Sequence, residues 1–320
     1  MNVDSELTFN RRISPLHAAM FPALLTTVFF SISAACASKS TRMLGSIEAN
    51  FWRILLATFF LGLWAHTGGA GMTGHSLGFF LLSGFIGFGV GDLALYQTYP
   101  RIGSRLAMLL VHCLAAPFGA FVDWVWLGTN LTIPQLSFIA LILSGVGIAL
   151  VPGGHLQISR RTFVIGVLCG ITAGLGQGGS AVISRKAYAI AASNGEHIDG
   201  ITAAYQRIWG GLGIAVASFL IWRLRSGRRS PEAAVAYKVS IRKAWKWVFV
   251  NSLSGPAIGV SCYQWALATA PTGIVLAIVA LTPLAIIPLA QITEGEKPSV
   301  RSLVGGVIAV AGVIGLRLHS

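Results

Sequence analysis

Long stretches without charged residues dominate the hydrophobic pattern of this chain. Residues 13–38, 106–122, 162–184 and 247–293 contain no Asp, Glu, Lys or Arg. A membrane-spanning helix needs about 20 mostly apolar residues, so each stretch can hold one or two spans. A transmembrane barrel would instead show short alternating segments. The pattern predicts an all-α polytopic membrane protein.

Glycines, prolines and charged residues divide the chain into ten predicted helices. They cover residues 15–37, 51–66, 77–98, 105–127, 133–151, 163–184, 201–222, 247–269, 273–293 and 303–316. The first five are predicted to form one unit (15–152) and the last five a second unit (163–318). Residues 1–14 are expected to be an N-terminal tail, and the hydrophilic segment 223–246 a basic loop rather than a domain.

Several short motifs occur once in each half of the chain and in the same order. The matched residues are Tyr96 with Tyr263, Gln97 with Gln264, Gly128 with Gly295, and Arg53 with Arg207. The first three pairs share one constant spacing, as expected for a repeat. Because each unit has an odd number of spans, the second must enter the membrane from the opposite side. Inverted repeats of this kind build many secondary transporters, whose substrate site lies near the membrane midplane.

The repeated motifs resemble those of the EamA-type transporters of the drug/metabolite transporter superfamily. In each half an Arg opens the second span, and a glycine-rich third span ends in a Tyr ("GFGVGDLALYQ", "GPAIGVSCYQ"). A proline lies in each fourth span (Pro117, Pro283), followed by a glycine turn ("LGTN", "EGEK") and a glycine-marked fifth span. The resemblance covers almost the whole chain and implies a ten-helix carrier for small metabolites.

The turn before the last span of each half is expected to be structural. It is Gly128-Thr129 in the first half and Gly295-Glu296 in the second, whereas the resemblance implies Gly-Glu in both. Gly295 is free to take a positive φ, and Glu296 can cap the exposed amides of the next helix. Thr129 can cap in the same way without a charge.

Composition supports the membrane assignment and limits the partners. The chain is 54% hydrophobic and 10% charged, whereas soluble domains carry about 25% charged residues. The net charge of +13 comes from basic residues in loops beside spans, where they attract anionic lipid rather than nucleic acid. The four cysteines stand singly in apolar runs and are expected to be small hydrophobic residues.

The distribution of Lys and Arg bears on the orientation in the membrane. More of them lie on the side opposite the two termini, so the positive-inside rule places both termini outside. The family resemblance implies termini inside. The sequence leaves open whether the protein forms a homodimer.

Two titratable residues inside predicted spans are candidates for the chemistry of transport. Polar groups within a membrane are expensive and are functional candidates by default. Asp92 in the third span could bind a proton or the substrate, or it could be paired with an Arg. His112 in the fourth span could take part in proton coupling, or it could be a hydrogen-bonded packing residue.

The duplicated polar residues are the other candidates for substrate binding. Arg53 and Arg207 could bind an anionic substrate, or their side chains could snorkel to the interface. The remaining candidates suit the lining of a cavity: Tyr96, Gln97, Gln177, Tyr263 and Gln264. Gln177 lies beside a ladder of glycines at 166, 170, 174 and 178, which is typical of close helix contact.

The sequence predicts a secondary transporter for a small polar organic metabolite. Few buried charges and several neutral polar groups favour a neutral or zwitterionic solute such as an amino acid. The alternatives are a lipid-linked or nucleotide-sugar carrier, in which the arginines would hold phosphate, and a non-transporting membrane scaffold. No P-loop, paired-His metal motif or nucleophile elbow occurs, so neither an enzyme nor a cofactor or metal site is expected.

Overall fold

The computed structural model describes residues 3–127, 132–150, 159–226, 231–270, 272–295 and 298–318. Within these ranges the side chains of 3–19, 120, 123, 124, 126, 127, 150, 231–236, 238, 316 and 317 are not described. Every regular element in these ranges is helical. The elements are α1 (Val3–Leu44), α2 (Ser46–Thr67), α3 (Leu77–Gly84), the π-helix π1 (Phe85–Gly91), α4 (Asp92–Leu127), α5 (Ile133–Leu150), α6 (Arg160–Ser193), α7 (Gly200–Arg225), α8 (Pro231–Ser252), the π-helix π2 (Leu253–Gly259), α9 (Val260–Thr269), α10 (Thr272–Val279), α11 (Thr282–Ala285), α12 (Ile287–Glu294) and α13 (Val300–Leu318).

Six helical segments of the described chain are long and apolar enough to cross a membrane. They are Met20–Leu44, Ser46–Thr67, Leu77–Gly119, Arg160–Ser193, Gly200–Arg225 and Thr272–Glu294. Ile133–Ala149 and Val300–Gly315 are shorter apolar helices. The all-helical, membrane-spanning class predicted from the uncharged stretches is therefore confirmed.

Two hydrophilic segments differ from their predicted secondary structure. The predicted tail is helical from Val3, as the first part of α1. The predicted loop 223–246 is also mostly helical, because α7 continues to Arg225 and α8 begins at Pro231. Proline suits the first turn of a helix, and the Ala, Lys and Arg residues after it are good helix formers. Charge content marked these segments as hydrophilic, but hydrophilic residues can extend a helix beyond the membrane.

Glycine and proline interrupt the helices within predicted spans or between them. Gly103 turns α4 with φ 78° and ψ 169°, a conformation that glycine adopts without steric cost. The turn separates the two predicted spans 77–98 and 105–127. Pro283 and Pro288 lie in the first turns of α11 and α12, so they interrupt the predicted span 273–293.

Corresponding helices of the two halves run in opposite directions where they meet. The end of α2 packs against the start of α7, where His66 Nε2 lies 3.0 Å from the Tyr205 hydroxyl. A Cβ at Gly62 would lie 3.0 Å from the Tyr205 ring, and one at Gly69 would lie 2.2 Å from Thr202 Oγ1. Since α2 and α7 carry the matched arginines, this antiparallel contact agrees with an inverted repeat.

The glycine ladder of α6 makes the close helix contact that the sequence predicts. A Cβ at Gly170 would lie 2.5 Å from Leu110 Cδ1, and one at Gly178 would lie 2.6 Å from the Ala115 carbonyl oxygen. Both contacts are to the part of α4 that follows Gly103. A smooth glycine face lets the two helices approach closely, which packing in a membrane favours.

We expect Gly84→Ala to destabilise the protein and Gly78→Ala to leave it unchanged or slightly more stable. Both glycines lie in α3, but a Cβ at Gly84 would lie 1.6 Å from the Arg207 carbonyl oxygen, whereas one at Gly78 meets nothing within 4 Å. Overpacking of this kind costs about 1–3 kcal/mol or more. Thermal unfolding of both variants in detergent measures the difference. Equal melting temperatures would contradict this close approach of α3 and α7.

Candidate functional site

Two π-helical segments lie at corresponding positions of the two halves. The segments π1 and π2 each have seven residues, "FIGFGVG" and "LSGPAIG", and each precedes a helix that carries the repeated Tyr-Gln pair. Segments of π-helix are rare and frequently mark functional sites. Nothing in the apolar pattern predicts them, although their glycine content sets them apart.

Arg53 is buried and paired rather than directed to the membrane surface. It lies about two turns into α2 and is 5% exposed. Its Nη2 forms an ion pair with Asp92, the first residue after π1, and donates to Asn50 Oδ1 at 3.2 Å. The guanidinium lies 4.8 Å from the centre of the Tyr96 ring. Of the two alternatives for Asp92, the structure shows the pairing with an Arg.

A chain of hydrogen bonds joins the Arg53 environment to the second half. Ser33 Oγ on α1 donates to Asn251 Oδ1 at 2.7 Å. Asn251 Nδ2 on α8 donates to the Tyr96 hydroxyl at 2.6 Å. Neither Ser33 nor Asn251 was among the residues predicted for the site. The amide of Asn251 in the uncharged stretch 247–293 was the available signal.

Arg207 occupies the corresponding place in the second half but has no acidic partner among the described side chains. It is 3% exposed, and its Nη2 donates to Ser180 Oγ at 3.3 Å. Its Nε and Nη1 have no hydrogen-bond partner within the described structure. The guanidinium lies 5.4 Å from the centre of the Phe88 ring, which belongs to π1.

Each arginine reaches the π-helical segment of the other half. A Cβ at Gly87 in π1 would lie 3.1 Å from Arg207 Nη2, and one at Gly255 in π2 would lie 3.5 Å from Arg53 Nη1. The missing side chains of these glycines leave room for the guanidinium groups. The repeat therefore places two arginines symmetrically across the interface between the halves.

A partly open cavity of about 70 Å³ lies at this interface. Six of the residues predicted for the site line it: Arg53, Asp92, His112, Gln177, Arg207 and Tyr263. Among the lining residues that the sequence analysis did not single out are Phe30, Ser33 and Phe88. Residues from both halves thus form one site.

Three of the predicted site residues do not line the cavity. Tyr96 is fully buried behind it, under the Arg53 guanidinium. Gln97 is half-buried, and its Oε1 accepts a hydrogen bond of 2.8 Å from Arg101. Gln264 is fully buried, and its amide has no hydrogen-bond partner within the described structure.

His112 and Tyr263 both pack against Phe30. The His112 ring stacks on the Phe30 ring with centroids 5.7 Å apart, and the Tyr263 ring centroid lies 6.0 Å from that of Phe30. His112 is 4% exposed. Its Nδ1 has no partner among the described residues, so the structure does not show the hydrogen bond expected of a packing histidine.

Charged contacts join the two halves beyond both ends of α2. On one side, His75 Nδ1 lies 2.6 Å from Glu196 Oε1, and hydrogen bonds from the His75 side chain and backbone lower the pKa of Glu196. On the other side, Glu294 pairs with Arg42 at 3.1 Å and accepts a hydrogen bond from the Ser104 hydroxyl.

The structure describes only part of the predicted structural turn. Gly295 ends α12 with φ 70°, as predicted, and its N–H donates to the Gln291 carbonyl oxygen. The predicted turn residues Gly128, Thr129 and Glu296 lie outside the described residues.

Comparison with known proteins identifies the class of protein that this fold and cavity define. The model of the EamA-like transporter family matches residues 17–151 and again residues 164–318. The chain belongs to this family, which confirms the resemblance seen in the repeated motifs. It is an integral, multi-pass membrane protein of the drug/metabolite transporter type.

Structural comparison supports the fold, and sequence comparison adds no characterised relative. One solved crystal structure, 14% identical in sequence, covers 95% of this chain and 97% of its own chain with a TM-score of 0.63. At this identity the likeness concerns the fold alone. A search of curated proteins found no significant match.

We expect Asp92→Asn to destabilise the protein by about 3 kcal/mol, because breaking a buried ion pair leaves the other charge uncompensated. The double variant Arg53→Met/Asp92→Leu removes both charges and should be more stable than Asp92→Asn. Chemical unfolding in detergent measures both values. If the double variant loses as much stability as the single variants Arg53→Met and Asp92→Leu lose together, the two side chains are not coupled.

Proposed function

We propose that this protein is a secondary transporter that moves a small organic metabolite across the membrane by alternating access. The observation that carries the proposal is the cavity between the halves, lined by Arg53 and Arg207 from matched positions. A site at the interface of inverted repeats is the common arrangement in secondary transporters. Membership of a transporter family supports the same conclusion.

Ten membrane crossings are part of the proposal. Counting α3 with π1 and the first part of α4 as one span, and α8 with π2 and α9 as another, gives five spans in each half. The shorter apolar helices α5 and α13 pack against each other, with a Cβ at Gly145 only 2.5 Å from the Ala309 nitrogen. We place these spans in the bacterial inner membrane, because helical rather than barrel proteins are typical there.

We assign the gates that alternating access requires to the contacts between the halves beyond the two ends of α2. The His75–Glu196 contact joins the segments that follow α2 and α6. The Arg42–Glu294 contact joins the ends of α1 and α12. Each contact links the first half to the second, so rocking of one half against the other would break one contact while keeping the other.

We expect covalent locking of either gate to stop transport. Cysteines replace His75 and Glu196 in one variant, and Arg42 and Glu294 in another, and a bifunctional thiol reagent joins each pair. Solute flux into proteoliposomes should stop in both crosslinked variants and return when a reducible crosslinker is cleaved. The corresponding single-cysteine variants, treated in the same way, are the controls.

Continued flux with one gate locked would contradict alternating access. No flux of any solute by the unmodified protein would contradict transport itself and favour a non-transporting membrane scaffold.

A further inference from the structure

The matched arginines of the two halves differ in how their charges are neutralised. Arg53 is paired with Asp92. The residue that corresponds to Asp92 in the second half is Gly259 when the repeat is aligned on the tyrosines, and Val260 when it is aligned on the π-helical segments. Neither residue carries a charge, so the repeat provides no carboxylate for Arg207.

The other acidic residues with described side chains are engaged elsewhere. Glu48 bonds to Tyr237, Glu196 to His75, Asp199 to the first turn of α7, and Glu294 to Arg42. Arg207 therefore has no carboxylate in contact at 3% exposure, and its Nε and Nη1 are unpartnered within the described structure. Asp92 is bonded to Arg53 and acts on Arg207 only from a distance. An unpaired buried charge is strongly unfavourable, and an ionisable residue within a span is a functional candidate by default.

From this charge and these free donors we infer that Arg207 binds the carboxylate of the transported solute, and that the solute is a monocarboxylate anion. The inference rests on the proposed transport function and names its substrate class. An Arg side chain holds the two oxygens of a carboxylate through parallel N–H donors. Nη2 gives one of its two N–H groups to Ser180. Its second N–H, together with the adjacent N–H of the unpartnered Nε or Nη1, is left as a fork for the ligand.

The charge balance of the cavity favours a monoanion over a zwitterion. Arg53 and Asp92 neutralise each other, which leaves the single positive charge of Arg207 among the described lining residues. A protonated His112 would add to that charge rather than offset it. The sequence alone favoured a neutral or zwitterionic solute, because it did not show that one arginine is paired and the other is not.

The remaining lining favours a solute with an apolar body. Phe30, Phe88, Met108 and Val260 line the cavity together with Arg207. Small-molecule sites commonly combine such an apolar lining with a few polar groups that fix the orientation of the ligand. An aliphatic or aromatic monocarboxylate satisfies both parts of this site.

Thermal stabilisation of the full-length protein in detergent by matched ligands tests the inference. The panel consists of straight-chain monocarboxylates of increasing length and 3-phenylpropanoate, each with its neutral amide. Phenylalanine and 2-phenylethyl phosphate supply the zwitterionic and phosphate head groups on a similar body. Because a ligand stabilises the state to which it binds, monocarboxylates should raise the melting temperature and their amides should not.

Variants then assign the effect to Arg207. We expect Arg207→Gln to weaken monocarboxylate binding by about ten- to a hundredfold, the range for lost hydrogen bonds to a charged group. Arg207→Lys keeps the charge but loses the planar fork and should lie between Arg207→Gln and the unmodified protein. Arg301→Gln removes an exposed positive charge from α13 and should bind as the unmodified protein does.

Several results would overturn the inference. These are equal stabilisation by acid and amide, preference for phenylalanine or for the phosphate, no stabilisation by any monocarboxylate, or unchanged binding in Arg207→Gln. Preference for the phosphate would favour a carrier of phosphorylated or lipid-linked solutes. If Arg207→Gln does not fold, the ligand series still tests the inference on the unmodified protein and on Arg207→Lys.

Flux measurements separate this inference from the transport proposal. Binding of monocarboxylates through Arg207 without flux into proteoliposomes would uphold the site but contradict transport. Flux of another class of solute that is unaffected by Arg207→Gln would uphold transport but contradict the site.

Discussion

A charge buried within a membrane must find a partner, and this requirement organises the centre of the structure. The two halves bring matched arginines to one interface, and the surroundings of each arginine decide its role. Asp92 neutralises Arg53, and the Tyr96 ring packs against the Arg53 guanidinium. Arg207 has the same burial without a carboxylate among the described side chains. One half therefore has a structural ion pair where the other has an open anion site.

Close approach of the backbone makes this arrangement possible. Gly84 and Gly87 let Arg207 lie directly against α3 and π1, and Gly255 does the same for Arg53 and π2. The π-helical segments are rich in glycine and lie next to the guanidinium groups. Close contact between helices and room for a buried charge thus have the same cause. Movement of one half against the other would change both arginine environments together.

The sequence predicted the class of fold well, because uncharged stretches and repeated motifs reflect local requirements of a membrane span. It also predicted the turn at Gly295 and the contact face of the α6 glycines. It did not predict that Arg53 pairs with Asp92, 39 residues away, since span patterns do not show which faces of different helices meet. For the same reason Ser33 and Asn251 were missed. The segment 223–246 was wrongly predicted as a loop, because polarity alone does not distinguish a loop from a helix outside the membrane.

A structure of the protein with a bound, halogen-labelled monocarboxylate tests the central claim most directly. The anomalous signal of the halogen locates the body of the ligand without ambiguity. We predict that the two carboxylate oxygens lie about 2.7–2.9 Å from two adjacent donors of Arg207, Nη2 and either Nε or Nη1, the range for charge-assisted hydrogen bonds. Arg53 should remain paired with Asp92. A carboxylate bound at Arg53, or a ligand outside the cavity between the halves, would contradict the account.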